Sequence, residues 1–353
     1  MKEKDLNSRY ESQNNEKSLK YGIIEVTTKC QLRCPGCYMF RRKAFNHGEM
    51  SLYQAINILD NCRDYCGREL ETMDILGGEP LLWPFLKDYI SALLQRGIQP
   101  WIFTNMLAID PELARWLFER EIHVTGKLNI NPSDPKQLPV QAQMIGCGNK
   151  TAGQLLQAIE IFLKAGYRVP LFRLQNLIRK KNLEFIPGYY KWCLQRNIGM
   201  DLELMGSGEK VDDVYWKIAP TADQLVKMIL EVQRVRQEFG LEPAEVLMPH
   251  VFGSCPFYDK GLYFAVDGHI RACSNSTIIL ANITDSESIK KAYESPLICN
   301  RLMLNQELIG EPCRSCDKWE KCRGGCRATA EGSGDWKSGY TLCPVPVLKA
   351  MAS

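Results

Sequence analysis

The sequence has no apolar stretch that could serve as a secretory leader or a membrane span. Its first twenty residues, MKEKDLNSRYESQNNEKSLK, hold no hydrophobic segment, and no later run approaches the length a bilayer needs. It also lacks a charge excess. Lysine and arginine number 44 against 41 acidic residues, a net of +3, which leaves no electrostatic footprint for nucleic acid or an anionic membrane surface. Histidine is scarce, at 4 in 353 residues, and none precedes His47. What remains is an ordinary globular composition, 45% apolar and 24% charged, in a chain long enough for two domains.

Cysteine is the one residue type in excess, with 15 copies. A chain of this size does not need disulfide staples, so metal-bound thiolates in a reducing cytoplasm are expected. Exposed clusters decay in oxygen, which points to an anaerobic or low-oxygen setting.

Three of the cysteines, Cys30, Cys34 and Cys37, lie in the stretch CQLRCPGCY with CxxxCxxC spacing. Three thiolates this close can ligate three irons of a [4Fe–4S] cube, leaving one iron open to a small molecule. A zinc knuckle or a redox pair are the blander readings, but zinc usually takes a fourth Cys or His at short spacing. The stretch resembles the defining motif of the radical S-adenosylmethionine (radical SAM) superfamily, in which an aromatic, here Tyr38, follows the last cysteine. The resemblance implies that the open iron chelates S-adenosylmethionine (SAM), and that electron transfer cleaves it to a 5′-deoxyadenosyl radical.

Residues 1–19 are polar and aperiodic, and a mobile tail is expected there. From Tyr21 strand-like and helix-like segments alternate: strands over 22–27, 72–76, 99–104, 123–130, 168–177 and 200–205, with helices over 51–65, 83–95, 111–120, 153–165, 183–196 and 221–238. Residues 131–150, rich in Pro and Gln, are expected to form a long loop. Six βα alternations imply an α/β fold of parallel strands, whose ligands gather at the strands' carboxyl ends. The cysteine loop, the Gly77-Gly78-Glu79-Pro80 turn and Thr104-Asn105 all fall at such ends.

Gly77–Pro80 resembles the family's GGEP motif, which meets the amino group of SAM; two glycines permit close backbone approach, and Glu79 is an acceptor suited to an amine. Thr104 and Asn105 stand where relatives carry Thr-Asn-Gly, with Met106 in place of the glycine. Lys127, Asn129 and Arg173 alternate with apolar neighbours and are expected to point into the barrel, towards the SAM carboxylate or ribose, unless they are barrel-wall polar residues. The family's core is a partial (β/α)6 barrel, so residues 20–240 are expected to form it.

Residues 241–353 leave the alternation and become cysteine-rich. Cys255, Gly268-x4-Cys273, Cys313-x2-Cys316-x5-Cys322-x3-Cys326 and Cys343 match the pattern of the SPASM extension of radical SAM enzymes. A zinc ribbon of Cys313, Cys316, Cys322 and Cys326 would leave the other three unexplained. The resemblance implies two auxiliary [4Fe–4S] clusters: Cys313, Cys316, Cys322 and Cys343 hold one, and Cys255, Cys273 and Cys326 hold the other, with its fourth site open or filled by a thiol such as Cys299. Cys62, Cys66, Cys147 and Cys193 read as small buried hydrophobes.

Auxiliary clusters imply that a substrate radical is oxidised, with an electron donor such as ferredoxin or flavodoxin supplying the first cluster. The expected substrate is a small metabolite or natural-product intermediate. Two features favour it: no peptide-recognition module precedes the core, and Ser274 stands where sulfatase maturases carry a proton-accepting Asp. The alternative is a peptide- or protein-modifying maturase; a non-catalytic iron–sulfur electron carrier ranks lower, because it would need no GGEP turn. Glu203 is the weak candidate for a general base, with a structural salt bridge as the equal alternative, and Tyr258 and Asp259, near Cys255, either face the substrate space or cover a cluster.

Overall fold

A computed structural model describes residues 19–41, 48–204, 217–242, 255, 260–296, 305–332, 337–340 and 342–352. Tyr258, Asp259 and Cys299 lie outside the described residues, as does nearly all of the expected tail.

Six parallel strands form the core: β1 (Tyr21–Glu25), β2 (Thr72–Leu76), β3 (Gln99–Thr104), β4 (His123–Lys127), β5 (Phe172–Ile178) and β6 (Gly199–Leu204). They pair in sequence order, β1 to β6, and each pairing is parallel. After the short helix α1 (Tyr38–Arg41), the main crossovers are α2 (Leu52–Cys66), α3 (Leu86–Gln95) and α4 (Pro111–Phe118). Then come α5 (Leu138–Ile145), α6 (Asn149–Lys164), α7 (Ile186–Gln195) and α8 (Ala222–Glu238). The fold is the partial (β/α)6 barrel expected.

Local chemistry starts and stops these helices. Ser51 and Thr221 each close a capping box, with Gln54 and Gln224, which satisfies amides the first turn leaves orphaned. Gly67 ends α2 in the left-handed conformation at φ 68°. All five residues of β1 are buried, as a strand covered on both faces must be. Ile24, Ile75, Ile102, Val124 and Leu174 carry the sheet's side of the main core, against Ile58, Tyr89, Leu117, Leu155 and Phe162 of the helices.

The expected long loop at 131–150 is instead largely helical. Pro135 and Pro139 sit in the first turns of a 3-10 turn (Pro135–Gln137) and of α5, where proline's missing amide costs nothing. Composition alone made those prolines look like breakers.

The sheet does not stop at residue 240. β7 (Gly261–Phe264) pairs parallel with β1, and β8 (His269–Arg271) and β9 (Ala281–Asn282) extend it antiparallel. The following helix α9 (Ser286–Tyr293) folds back beside α2, where Tyr65 and Tyr293 stand 6.1 Å apart between ring centroids. Beyond it come α10 (Trp319–Cys322), α11 (Arg327–Gly332) and α12 (Val345–Ala352). In this last stretch Ile309, Trp319, Tyr340 and Leu342 pack in a second core with Leu202, Leu204, Leu225, Ile229 and Val232 of β6 and α8. The cysteine-rich third thus grips the open barrel at both edges, β1 and β6. No helix of the described residues is long and apolar enough to cross a membrane.

Candidate active site and its thiol clusters

The cysteine loop leaves β1 and is held by the neighbouring strand ends. The Gly78 amide donates to Thr27 O at 2.7 Å and the Glu79 amide to Lys29 O at 2.8 Å. A Cβ on Gly77 would lie 2.5 Å from Thr27 O, and one on Gly78 would lie 2.3 Å from Lys29 O, so the two glycines are needed for backbone to meet backbone. Their close approach in this structure is to the chain itself. Tyr38 completes the seam, its hydroxyl donating to Gly77 O at 3.1 Å.

Glu79 is wholly buried and spent on protein donors. Its carboxylate accepts from Thr104 Oγ1 and the Asn105 amide, both at 2.6 Å, and from the Leu81 amide at 3.0 Å. Burial pushes its pKa up to about 7, against the lowering effect of those hydrogen bonds. The side chain clamps the turn to the end of β3. Asn105 reaches on to the cysteine loop, donating to Gln31 Oε1 at 3.1 Å and towards Cys30 Sγ at 3.6 Å. Met106 keeps the left-handed backbone that glycine would favour, at φ 68°, and buries its side chain over Gly126.

Of the expected inward-pointing polar residues, Lys127 is half-buried at the end of β4, donating to Gln175 Oε1 at 2.7 Å. Burial lowers its pKa, opposed chiefly by the negative charge of Glu203 and then by Cys34. Glu203, on β6, is near enough for its negative charge to act on Lys127. Asn129 is buried, and its side-chain oxygen accepts from the Leu177 amide at 3.0 Å, tying β4 to β5.

Arg173 is a correction. It shares Lys127's face, but the register pairs it with Thr125 while Lys127 meets Gln175. It sits at the amino-terminal start of β5, two residues below Gln175 and roughly 7 Å down the strand. There its Nε donates to both Asp201 oxygens, at 2.8 and 2.9 Å. Alternation assigns a face and says nothing of height, and ligands bind at the other end.

The cation at the right height is Arg179, which sequence reasoning missed. It follows β5 directly, is 6% exposed, and donates to the carbonyl of Pro35 inside the cysteine loop. Asn182 holds its turn: Oδ1 accepts from the Arg179 amide at 2.8 Å while Nδ2 donates to Asn129 O at 3.1 Å. Burial lowers its pKa, opposed by Cys34 and Cys37. The signal was available in the basic run Arg179-Lys180-Lys181 at a strand's carboxyl end. Also unforeseen is the Tyr263 hydroxyl, which donates to the Glu25 carboxylate; both residues have no exposed surface, and the bond fastens β7 beside the cysteine loop.

The cysteines fall into three sets by their influence on one another. Burial pushes Cys30 up to about 11 and Cys34 up to about 12, each raised further by Cys37. Cys273 is raised by burial and then by Cys326 and Cys255. Cys322, pushed up to about 11 by burial, is raised further by Cys313 and Cys316, and Cys343, pushed up to about 12, by Cys313, Cys322 and Cys316.

The last four thiols line one cavity of about 200 Å³ with Trp319, Gly324 and Tyr340. Backbone amides point at sulfur throughout: Leu32 to Cys30, Lys318 to Cys316 and Tyr340 to Cys313, each at 3.4 Å. Such donors stabilise thiolate and tune cluster potential.

Among the described residues, no three Cys, His, Asp or Glu side chains close on a single point as one metal ion would require. A cube takes one thiolate per iron, at wider spacing than the ligands of one metal ion. The donor set, all sulfur and amide-supported, fits iron–sulfur cubes.

A parallel partial barrel with three thiols in one loop at its carboxyl rim is an arrangement suited to a cluster-dependent radical enzyme. Residues 24–187 match the model of the Radical SAM superfamily, and the residues after them carry the cysteine register that resembles the SPASM extension. The chain's cofactors are those of such proteins, SAM and [4Fe–4S] clusters.

The chain is 24% identical over 225 residues to the tungsten-containing aldehyde ferredoxin oxidoreductase cofactor-modifying protein of Pyrococcus furiosus, with 60% of each chain covered. It is 23% identical over 330 residues to the PqqA peptide cyclase of Gluconobacter oxydans, covering 87% of this chain and 85% of the cyclase. Among solved structures, anSMEcpe with bound AdoMet superposes with a TM-score of 0.72 at 14% identity, over 93% of this chain and 94% of that one. SuiB of Streptococcus suis bound to its precursor peptide SuiA gives 0.67 at 16% identity, over 93% and 76%. At these identities the structural likeness is one of fold.

Proposed function

We propose that the chain is a radical SAM oxidoreductase that modifies a side chain of a peptide. The observation that carries the chemistry is the sorting of ten cysteines into three sets, one at the barrel rim and two in the segment that closes the barrel's edges. On this reading Cys30, Cys34 and Cys37 hold the first cluster, Cys255, Cys273 and Cys326 the second, and Cys313, Cys316, Cys322 and Cys343 the third. Bound SAM and the first cluster together supply a 5′-deoxyadenosyl radical, which takes a hydrogen atom from the substrate.

The protein's own groups then have defined tasks. Lys127, half-buried, and Arg179, buried, are the cations beside Cys34 and would hold the anionic carboxylate of SAM. The carbonyls of the Gly77–Glu79 turn would accept from its amine, and Glu79 keeps that turn at the height of Asn105. Clusters held by the auxiliary sets would accept the electron the substrate gives up, and a ferredoxin or flavodoxin in the cytoplasm would provide the first one.

A peptide is favoured over the small metabolite that the sequence first favoured. anSMEcpe, which has been solved with bound peptide, is matched over 94% of its own length. PqqA peptide cyclases and SuiB with SuiA point the same way. The test is anaerobic incubation of reconstituted protein, SAM and dithionite with short peptides encoded beside its gene. Formation of 5′-deoxyadenosine with loss of two hydrogens from a peptide, both absent in Cys34→Ala, supports the reading. Turnover only with a small cofactor or sugar would restore the metabolite reading.

A further inference from the structure

Arg327 is a buried cation in the wall between the two auxiliary thiol sets. It follows Cys326 of one set, and its residue is only 4% exposed. Its guanidinium donates to the carbonyl of Gly324 and, at 3.1 Å, to that of Ser338. Both acceptors belong to the surroundings of the other set. Gly324 lines the cavity with Cys313, Cys316, Cys322 and Cys343, and Ser338 runs into Tyr340, whose amide donates to Cys313 Sγ at 3.4 Å. A Cβ on Gly324 would lie 2.7 Å from the guanidinium, so the glycine makes room for the arginine to lie on the turn.

A guanidinium taken out of water is costly unless negative charge compensates it. Thiols of both sets surround it: Cys326 precedes it in the chain, and its two carbonyl acceptors lie beside the cavity of Cys313, Cys316, Cys322 and Cys343. Iron–sulfur cubes ligated by thiolates are net anions and become more negative on reduction, so a fixed cation between two of them stabilises the reduced form of each.

We infer that the Arg327 guanidinium is the shared countercharge of the two auxiliary clusters, holding both reduction potentials up. This rests on the reading that those seven thiols carry clusters. Arg327 acts here as a positioning and tuning residue and touches no substrate.

The test uses reconstituted protein with Cys30, Cys34 and Cys37 all changed to Ala, so that only the auxiliary signals remain, in an anaerobic redox titration followed by electron paramagnetic resonance. Arg327→Gln is expected to lower both midpoint potentials at an unchanged iron content of about eight per chain, with Arg327→Lys close to the parent. Unchanged potentials in Arg327→Gln at full iron, or a shift at one cluster alone, would overturn the inference. If Arg327→Gln does not retain iron, Arg327→Lys decides: parent-like potentials at both clusters support a countercharge, and a fall at both or loss of iron shows a merely structural strap. Parent protein that binds no iron in this background contradicts the cluster reading itself, independently of Arg327.

Discussion

Thr104 Oγ1 donates to Glu79 Oε1 at 2.6 Å, joining the ends of β2 and β3 through a carboxylate that has no exposed surface. Burial raises the Glu79 carboxyl to about 7 in the folded chain, from an ordinary value of 4.5. The folded state therefore binds its proton more tightly than the unfolded state, and the stability this gives is complete below the unfolded value and lost as pH rises through 7. The loss is about 3 kcal/mol. Glu79→Gln lacks this titration, so its thermal midpoint is expected to gain on the parent's between about pH 5.5 and 8. Curves that stay parallel would remove the buried-acid assignment.

Gly78→Ala places a methyl group 2.3 Å from Lys29 O, a backbone atom that cannot turn aside. The turn must lift off the cysteine loop, and misplacement by about 1 Å costs on the order of 100-fold in rate. Formation of 5′-deoxyadenosine should fall by that order while iron at the auxiliary sets is retained. Parent-like turnover would show that the turn has slack the geometry denies.

Arg179 offers a direct check on how SAM is gripped. A charge-assisted hydrogen bond contributes about 1.5–3 kcal/mol, so Arg179→Gln should weaken SAM binding by roughly 10- to 150-fold. Arg173→Gln, at the far end of the same strand and paired with Asp201, should leave it unchanged. Equilibrium dialysis with labelled SAM separates the two, and equal losses would reject the height assignment.

Met106 and Gly126 form a packed pair in place of the family's glycine. A Cβ on Gly126 would stand 2.3 Å from Met106 Sδ, and Met106 is wholly buried. Gly126→Ala is expected to cost about 1–3 kcal/mol by overpacking. Adding Met106→Ala should return part of it, a coupling that denaturation of both single variants and the double variant would reveal. Additive losses would mean that the two side chains do not compete for the same space.

The element order of the core was legible because parallel strands buried on both faces and capped amphipathic helices leave strong local patterns, seen in β1 and in the Ser51 and Thr221 caps. The SPASM register of cysteines was equally plain. Less legible was anything set by distance across the fold. Nothing local in Gly261–Phe264 says that it pairs with β1, and nothing in Arg173 says that it sits at the wrong end of its strand. Glu79 looked like a ligand acceptor from its motif, yet three protein donors claim it. Arg179 escaped notice because its importance lies in Pro35, far away in sequence.

The central claim is that three separate thiol sets each carry a cube. Iron and zinc analysis of anaerobically reconstituted protein tests it most directly, with Cys30, Cys34 and Cys37 intact and then all replaced by Ala. The account predicts about twelve irons per chain falling to about eight, without zinc. About four irons falling to none, with zinc bound in the C-terminal third, would contradict it.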